Sequence, residues 1–186
     1  MNSIHNIGQT MDRLEPFLDE LDAIGRFGLS AYNEYHPLVR IDHSPRTAAN
    51  CVYDHMAAEA DRRFADHPEV NAIDVRGLRL WVLGGRDPHT VFRFKKMDQS
   101  GATKNYPTQQ IQDFDLMRDL PGLPEKPTRV VVGYVADALF TIVDRVQVAR
   151  PNGSKIDWCA AIVSKQERNE VESRWMDVTS QVSFTG

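Results

Sequence analysis

Between His89 and Gln112 the chain reads HTVFRFKKMDQSGATKNYPTQQIQ, gathering Arg93, Lys95, Lys96, Lys104, Asn105, Thr108 and Gln110 in one short stretch. A strand from Thr90 to Met97 would place Arg93 and Lys95 side by side on one face, with Phe92 and Phe94 on the other. Two like charges so placed repel unless solvent covers them or an anion lies between them. Lys96 falls on the phenylalanine face near the strand end, where it can reach outward to water. Thr108 is a good cap for a helix that follows, and a helix start presents unpaired N–H groups and the positive end of its dipole. Arg93, Lys95, Lys96, Asn105 and Thr108 therefore form a candidate site for phosphate or nucleic acid. The plainer reading is a solvated basic strand followed by an ordinary capped helix.

Chemistry at such a site would need a carboxylate. Asp144 falls in phase with Phe140, Ile142, Val146 and Val148, so a strand there would hold it among apolar neighbours. A carboxylate in that setting needs a partner, and Arg93, Lys95 or Arg129 could supply one. Arg46, Asn50 and Asp54 recur every four residues along a predicted helix and make one polar ridge, a possible second wall of the site. Asp54 and Asp144 are thus the candidate catalytic residues, as acid, base or metal carboxylate. A structural ion pair and an exposed ridge are the simpler alternatives. Lys155 and Asp157 share a face of a later strand, but their order with Asp144 does not reproduce a metal-dependent nuclease signature. The histidines at 5, 36, 43, 55, 67 and 89 show no HxH, HxxxH or HExxH spacing, so no zinc site is expected. No GxSxG, Walker or GxGxxG motif is present, and no cofactor is indicated.

The elements that must position these groups follow from periodicity. Residues 8–35 carry Met11, Leu14, Leu18, Leu21 and Ile24 at helical spacing, with Thr10 as the expected cap and a kink expected at Pro16. Gly25 and Gly28 are expected to weaken the helix end. A second helix is predicted over 46–66, ending before Pro68. From Val70 the period changes to two, predicting strands near 70–75, 78–83 and 90–97 joined by tight turns. Thr108–Leu120 reads as a helix, PGLPEKP as a stiff connection, and Thr128–Val135, with Val130, Val131 and Val132 in a row, as a central strand buried on both faces. Strands at Leu139–Ala149 and Lys155–Val163 follow. A short helix is expected in 165–178, using Val171, Trp175 and Met176.

This order predicts an α+β fold, a mainly antiparallel sheet of about five or six strands with N-terminal helices and one inserted helix packed on it. One domain over 1–186 is expected, with a helical part at 1–68, a sheet part at 69–164 and a tail at 165–186. The net charge of −4 excludes a global field pulling the protein onto nucleic acid, so any anion site must be local. Acidic residues among the first twenty-two positions argue against a signal peptide, and no apolar run approaches a membrane span. A cytoplasmic location and two reduced cysteines, Cys51 and Cys159, are the expectation.

Arg46, Asn50 and Asp54, then RFKK at 93–96, NYPT at 105–108, LPGLP at 120–124, GY at 133–134 and Trp158 together resemble a group of bacterial proteins. These are encoded beside regulators that combine a helix-turn-helix with an ImmA-like domain, in pairs that look like toxin–antitoxin or phage-defence modules. The resemblance covers roughly residues 43–162. It implies a toxin-like effector with a cognate antitoxin or regulator as partner, and a target that includes nucleic acid or nucleotide. The alternative is a non-catalytic protein-binding module of a regulatory complex, which predicts an exposed apolar patch near Phe27, Tyr32 and Tyr35.

Overall fold

A computed structural model describes residues 6–104, 108–168 and 173–179. Helix α1 (Ile7–Leu14) is capped by Asn6, whose side chain accepts from the Gln9 amide; the expected cap, Thr10, is instead buried inside the helix. A single 3-10 turn at Glu15–Phe17 carries Pro16 at its start and leads into α2 (Leu18–Asn33), so the chain bends where proline removes a helical hydrogen bond. A four-residue helix α3 (Pro37–Arg40) precedes α4 (Pro45–Phe64), which Ser44 caps through the Thr47 amide. Within α4, Ala48, Val52, Met56, Ala60 and Phe64 form the buried stripe. No described helix is long and apolar enough to cross a membrane.

The seven strands form one sheet in chain order: β1 (Val70–Val75), β2 (Leu78–Leu83), β3 (Thr90–Lys96), β4 (Thr128–Ala136), β5 (Val143–Asn152), β6 (Lys155–Ile162) and β7 (Trp175–Asp177). Every neighbouring pair is antiparallel except β3 and β4, which run parallel. A parallel pair cannot be closed by a hairpin. The chain from Met97 to Pro127 crosses over instead, carrying α5 (Gln109–Asp115). β4 is the central strand and is buried along nearly its whole length, as the valine run requires.

The strand count exceeds the expected five or six because Trp175 and Met176 are not helical. They lie in β7 and pair with Ile162 and Ala161. The free edge of β6 supplies ladder partners that an isolated, charged helix would lack. β5 also begins later than expected. Residues 137–142 form a turn in which the Asp137 carboxylate accepts from the amides of Thr141 and Ile142. A register shift at Val135/Ala136 follows from it.

Two cores lie on opposite faces of the sheet. On one, α1, α2 and α4 cover Trp81, Phe92, Phe94, Val130, Val132, Val146 and Trp158. On the other, the crossover lays Met97, Phe114 and Leu120 over Leu80, Val91, Val131 and Cys159. Gly25 and Gly28 do not end α2; they allow it close approach. A Cβ on Gly28 would stand 2.3 Å from Met56 Cγ and 2.8 Å from the Val52 carbonyl oxygen of α4. Gly28→Ala is therefore expected to lower stability by about 1–3 kcal/mol through overpacking, against a helix-propensity gain of about 1 kcal/mol. The urea-unfolding midpoint measures the balance, and a raised midpoint would mean that the helices separate freely.

Candidate anion-binding centre

The basic strand is not solvated. Arg93 is 1% exposed and lies on the β3 face covered by α5. Its Nη2 donates to Asp115 Oδ1 at 3.1 Å, and its guanidinium lies 5.2 Å from the centre of the Phe114 ring. Arg129 of β4 approaches the same ring at 5.9 Å, and its Nη1 donates to the Asp113 carbonyl at 2.9 Å. Phe114 thus lies within cation–π range of two buried guanidiniums. Planar, weakly hydrated cations suit an aromatic partner in that position.

Lys95 stands on the same side of β3 as Arg93, half-buried. Its Nζ lies 5.9 Å from the Tyr53 ring centre. This contact exists because the β2–β3 ladder stops at Trp81 and Phe92, leaving the far end of β3 paired only with β4. Tyr53 of α4 reaches the opening. Burial, and next the neighbouring Arg93 charge, push the Lys95 ammonium below the usual lysine range. Burial likewise lowers Arg93, with Asp115 opposing. The Asp115 carboxyl is raised by burial, which outweighs the attraction of Arg93.

Asp115 is the carboxylate hydrogen-bonded to Arg93, and Lys95 is the second cation near it, whereas Arg129 lies in the field of Asp119 and Asp113. The Asp113 carboxylate is turned outward to Gln109 and Arg118. Arg93 Nε, Arg93 Nη1 and Arg129 Nε are buried with no hydrogen-bond partner among the described residues. Alternate residues on a strand face stand roughly 6–7 Å apart. Like charges at that distance repel by roughly 2.5 kcal/mol at an effective dielectric near 20.

Asp115 also borders an open groove of about 450 Å³ between α5 and the β5–β6 hairpin. Thr103, Gln112, Ser154 and Lys155 supply its polar walls, and Ile111, Leu116 and Ile156 its apolar ones. Ile156 lies on this side because β5 and β6 shift register at Arg150/Pro151, which takes it out of the expected row with Trp158, Ala160 and Ile162. The Gly153 amide donates to the Asp115 carbonyl at 2.9 Å and ties the hairpin to the helix end.

The other sequence-predicted residues are distributed as follows. Thr108 caps α5 through the Ile111 amide, but α5 has seven residues rather than the expected thirteen and spends its cap on itself. Asn105 lies outside the described residues. Lys96 is exposed on the opposite face, its Nζ 4.3 Å from the Phe140 ring centre. Arg46, Asn50 and Asp54 do form an exposed ridge on α4. The helix meets the basic strand through Tyr53 instead, one position and about 100° away from Asp54. Asp144 is exposed at the start of β5, not buried among apolar residues, because the 137–142 turn takes Phe140 and Ile142 out of the strand. The structure brings together Arg93 and Lys95, and joins to them Asp115 and Tyr53, which sequence reasoning missed. One signal for Asp115 was present. It directly follows Phe114, which belongs to the apolar stripe of α5, so it lies on the flank of the covered face. Among the described residues no group of three or more His, Cys, Asp or Glu side chains could hold a metal ion.

Losing one member of the pair has unequal consequences. An arginine cannot shed its charge, whereas Asp115 is partly open to the groove and already inclined to take up a proton. Asp115→Leu is expected to cost about 3–5 kcal/mol and Arg93→Met distinctly less, with the double variant recovering much of the loss. Urea titrations of the four proteins measure this, and additive losses would show that the two side chains are uncoupled. No known protein family, curated protein or solved structure matches the chain.

Proposed function

We propose that the protein is a toxin-like effector of a bacterial toxin–antitoxin or defence pair that binds a phosphate-bearing ligand of nucleotide size through Arg93 and Lys95. The observation that supports this reading is the Arg93–Lys95 pair. Two cations stand on one strand face beside one carboxylate, Asp115, and two Arg93 nitrogens lack a partner among the described residues. Buried charge without its counter-charge is costly, and an anion removes that cost while forming charge-assisted hydrogen bonds. The adjoining groove is matched in volume to a small ligand rather than to a duplex surface. Binding rather than turnover fits the exposure of Asp54 on α4 and of Asp144 at the start of β5, since Asp115 is the carboxylate that Arg93 holds.

The test is titration of inorganic pyrophosphate, a nucleoside triphosphate and a short fluorescent single-stranded oligonucleotide at several salt concentrations. Wild-type protein is expected to bind the phosphate compounds. Lys95→Ala, at a half-buried position, is expected to fold and to bind about tenfold more weakly, in line with the loss of one charge-assisted contact. Absence of binding by wild type, or equal binding by Lys95→Ala and Arg93→Met, would remove the reading.

A second reading, a non-catalytic protein-binding module, is favoured by a separate observation. Leu38 (70% exposed), Ile41 (79%), Leu139 (81%) and Ile142 (62%) are exposed on α3, on its C-cap and on the β4–β5 turn. The end of α2 links the two segments: Asn33 Oδ1 accepts from Arg40 of α3 at 2.7 Å, the Asn33 side-chain amide donates to the Thr141 carbonyl at 2.9 Å, and Tyr32 packs on Phe140. Exposed apolar residues clustered this way mark interaction surfaces. They lie beside Tyr32 and Tyr35, whose hydroxyls bond to His43 at 3.1 Å and His55 at 3.0 Å. The double variant Leu38→Asp/Ile41→Asp is expected to keep the wild-type melting temperature and to lose co-purification with the product of the neighbouring gene. Undiminished co-purification would exclude this end of the molecule as the docking surface.

A further inference from the structure

The way Asp115 is held says more about the anion centre. It makes a single hydrogen bond to Arg93, through Nη2, although a carboxylate can engage a guanidinium with two. Arg93 Nε and Nη1 remain buried and unpartnered among the described residues. The carboxylate sits in the last turn of α5, at the negative end of that helix, where negative charge is disfavoured. Burial also raises its pKa above the ordinary carboxylate value in spite of the arginine. Its backbone, in contrast, is fixed by the Gly153 amide on the Asp115 carbonyl and by the neighbouring Phe114 anchor. Its side chain is 17% exposed and lines the groove that also contains Lys155.

From this geometry we infer that Asp115 is an internal stand-in for the ligand's phosphate, occupying Arg93 until an anion entering from the groove displaces it. The inference rests on the anion-centre reading given above. Displacement requires a side-chain rotation and no unfolding of α5, since the backbone contacts do not involve the carboxylate. The released carboxylate turns into the groove, toward water and the wall that carries Lys155. A phosphate carries more negative charge than a carboxylate and has oxygens for Nε and Nη1 as well as Nη2. It can also meet Lys95, to which Asp115 makes no hydrogen bond. The site is therefore closed to weak anions and opened by strong ones.

Isothermal titration of inorganic pyrophosphate into wild type, Asp115→Asn and Asp115→Ser tests the inference. Both variants remove the competing charge, and each is expected to bind pyrophosphate about tenfold more tightly than wild type, within the usual range for coupled sites. Equal or weaker binding by folded variants, with wild type still binding, would overturn the stand-in role and leave the anion-centre reading intact. Binding by none of the three proteins would overturn both. Wild type provides a measurement that does not depend on variant folding. The Asp115 side-chain carboxyl carbon resonance, assigned through its own backbone amide, is expected to shift on saturation with pyrophosphate as the carboxylate leaves Arg93. A resonance that stays in place while pyrophosphate binds would overturn the inference.

Discussion

The parallel register between β3 and β4 is the constraint on which the rest of the site depends. Strands that run the same way must be joined by a chain that travels back along the sheet. Here the ends are pinned by the Thr128 amide on the His89 carbonyl at 2.8 Å and the Met97 amide on the Tyr134 carbonyl at 2.9 Å. The returning segment has to cover one face of the sheet, and the other face is already taken by α1, α2 and α4. α5 therefore lands on the Arg93 side, with Phe114 against two guanidiniums and Asp115 against one of them. An antiparallel β3–β4 hairpin would have left Arg93 and Lys95 in solvent.

Burying these cations is tolerable for reasons that differ by residue. Arg93 and Arg129 spread their charge over planar groups within cation–π range of Phe114, and Arg129 finds a backbone carbonyl. Lys95 escapes sideways to Tyr53 where the β2–β3 ladder opens. Arg93 and Lys95 still outnumber Asp115 in a poorly hydrated place, beside a groove that Asp115 lines. The exposed apolar residues on α3 and the β4–β5 turn belong to segments other than those that line this groove.

Much of the fold was legible because local chemistry and periodicity agreed. The kink at Pro16, the change of period at Val70, the buried run in β4 and the opposed faces of Phe92 and Arg93 all follow from short-range rules. The failures were equally specific. Trp175 and Met176 became a strand because β6 offered an edge. Asp144 left the core because Asp137 organises a turn ahead of it. Gly25 and Gly28 weaken a helix end by propensity, but the space for a side chain is taken by Val146 of β5 at Gly25 and by Val52 and Met56 of α4 at Gly28.

The sequence by itself determined which side chains share a face, since that depends only on backbone geometry over a few residues. It thereby placed Arg93 beside Lys95. It did not determine what stands opposite them. That partner is Asp115, twenty-two residues from Arg93, and it reaches the strand only through the crossover. Tyr53 arrives through helix packing, and the exposed Asp54 next to it shows how a rotation of about 100° separates a wall residue from a solvated one. Whether a charged pair faces water or an element is a property of sheet order and strand direction. Those are settled by the packing of whole layers, and no local pattern in the chain records them.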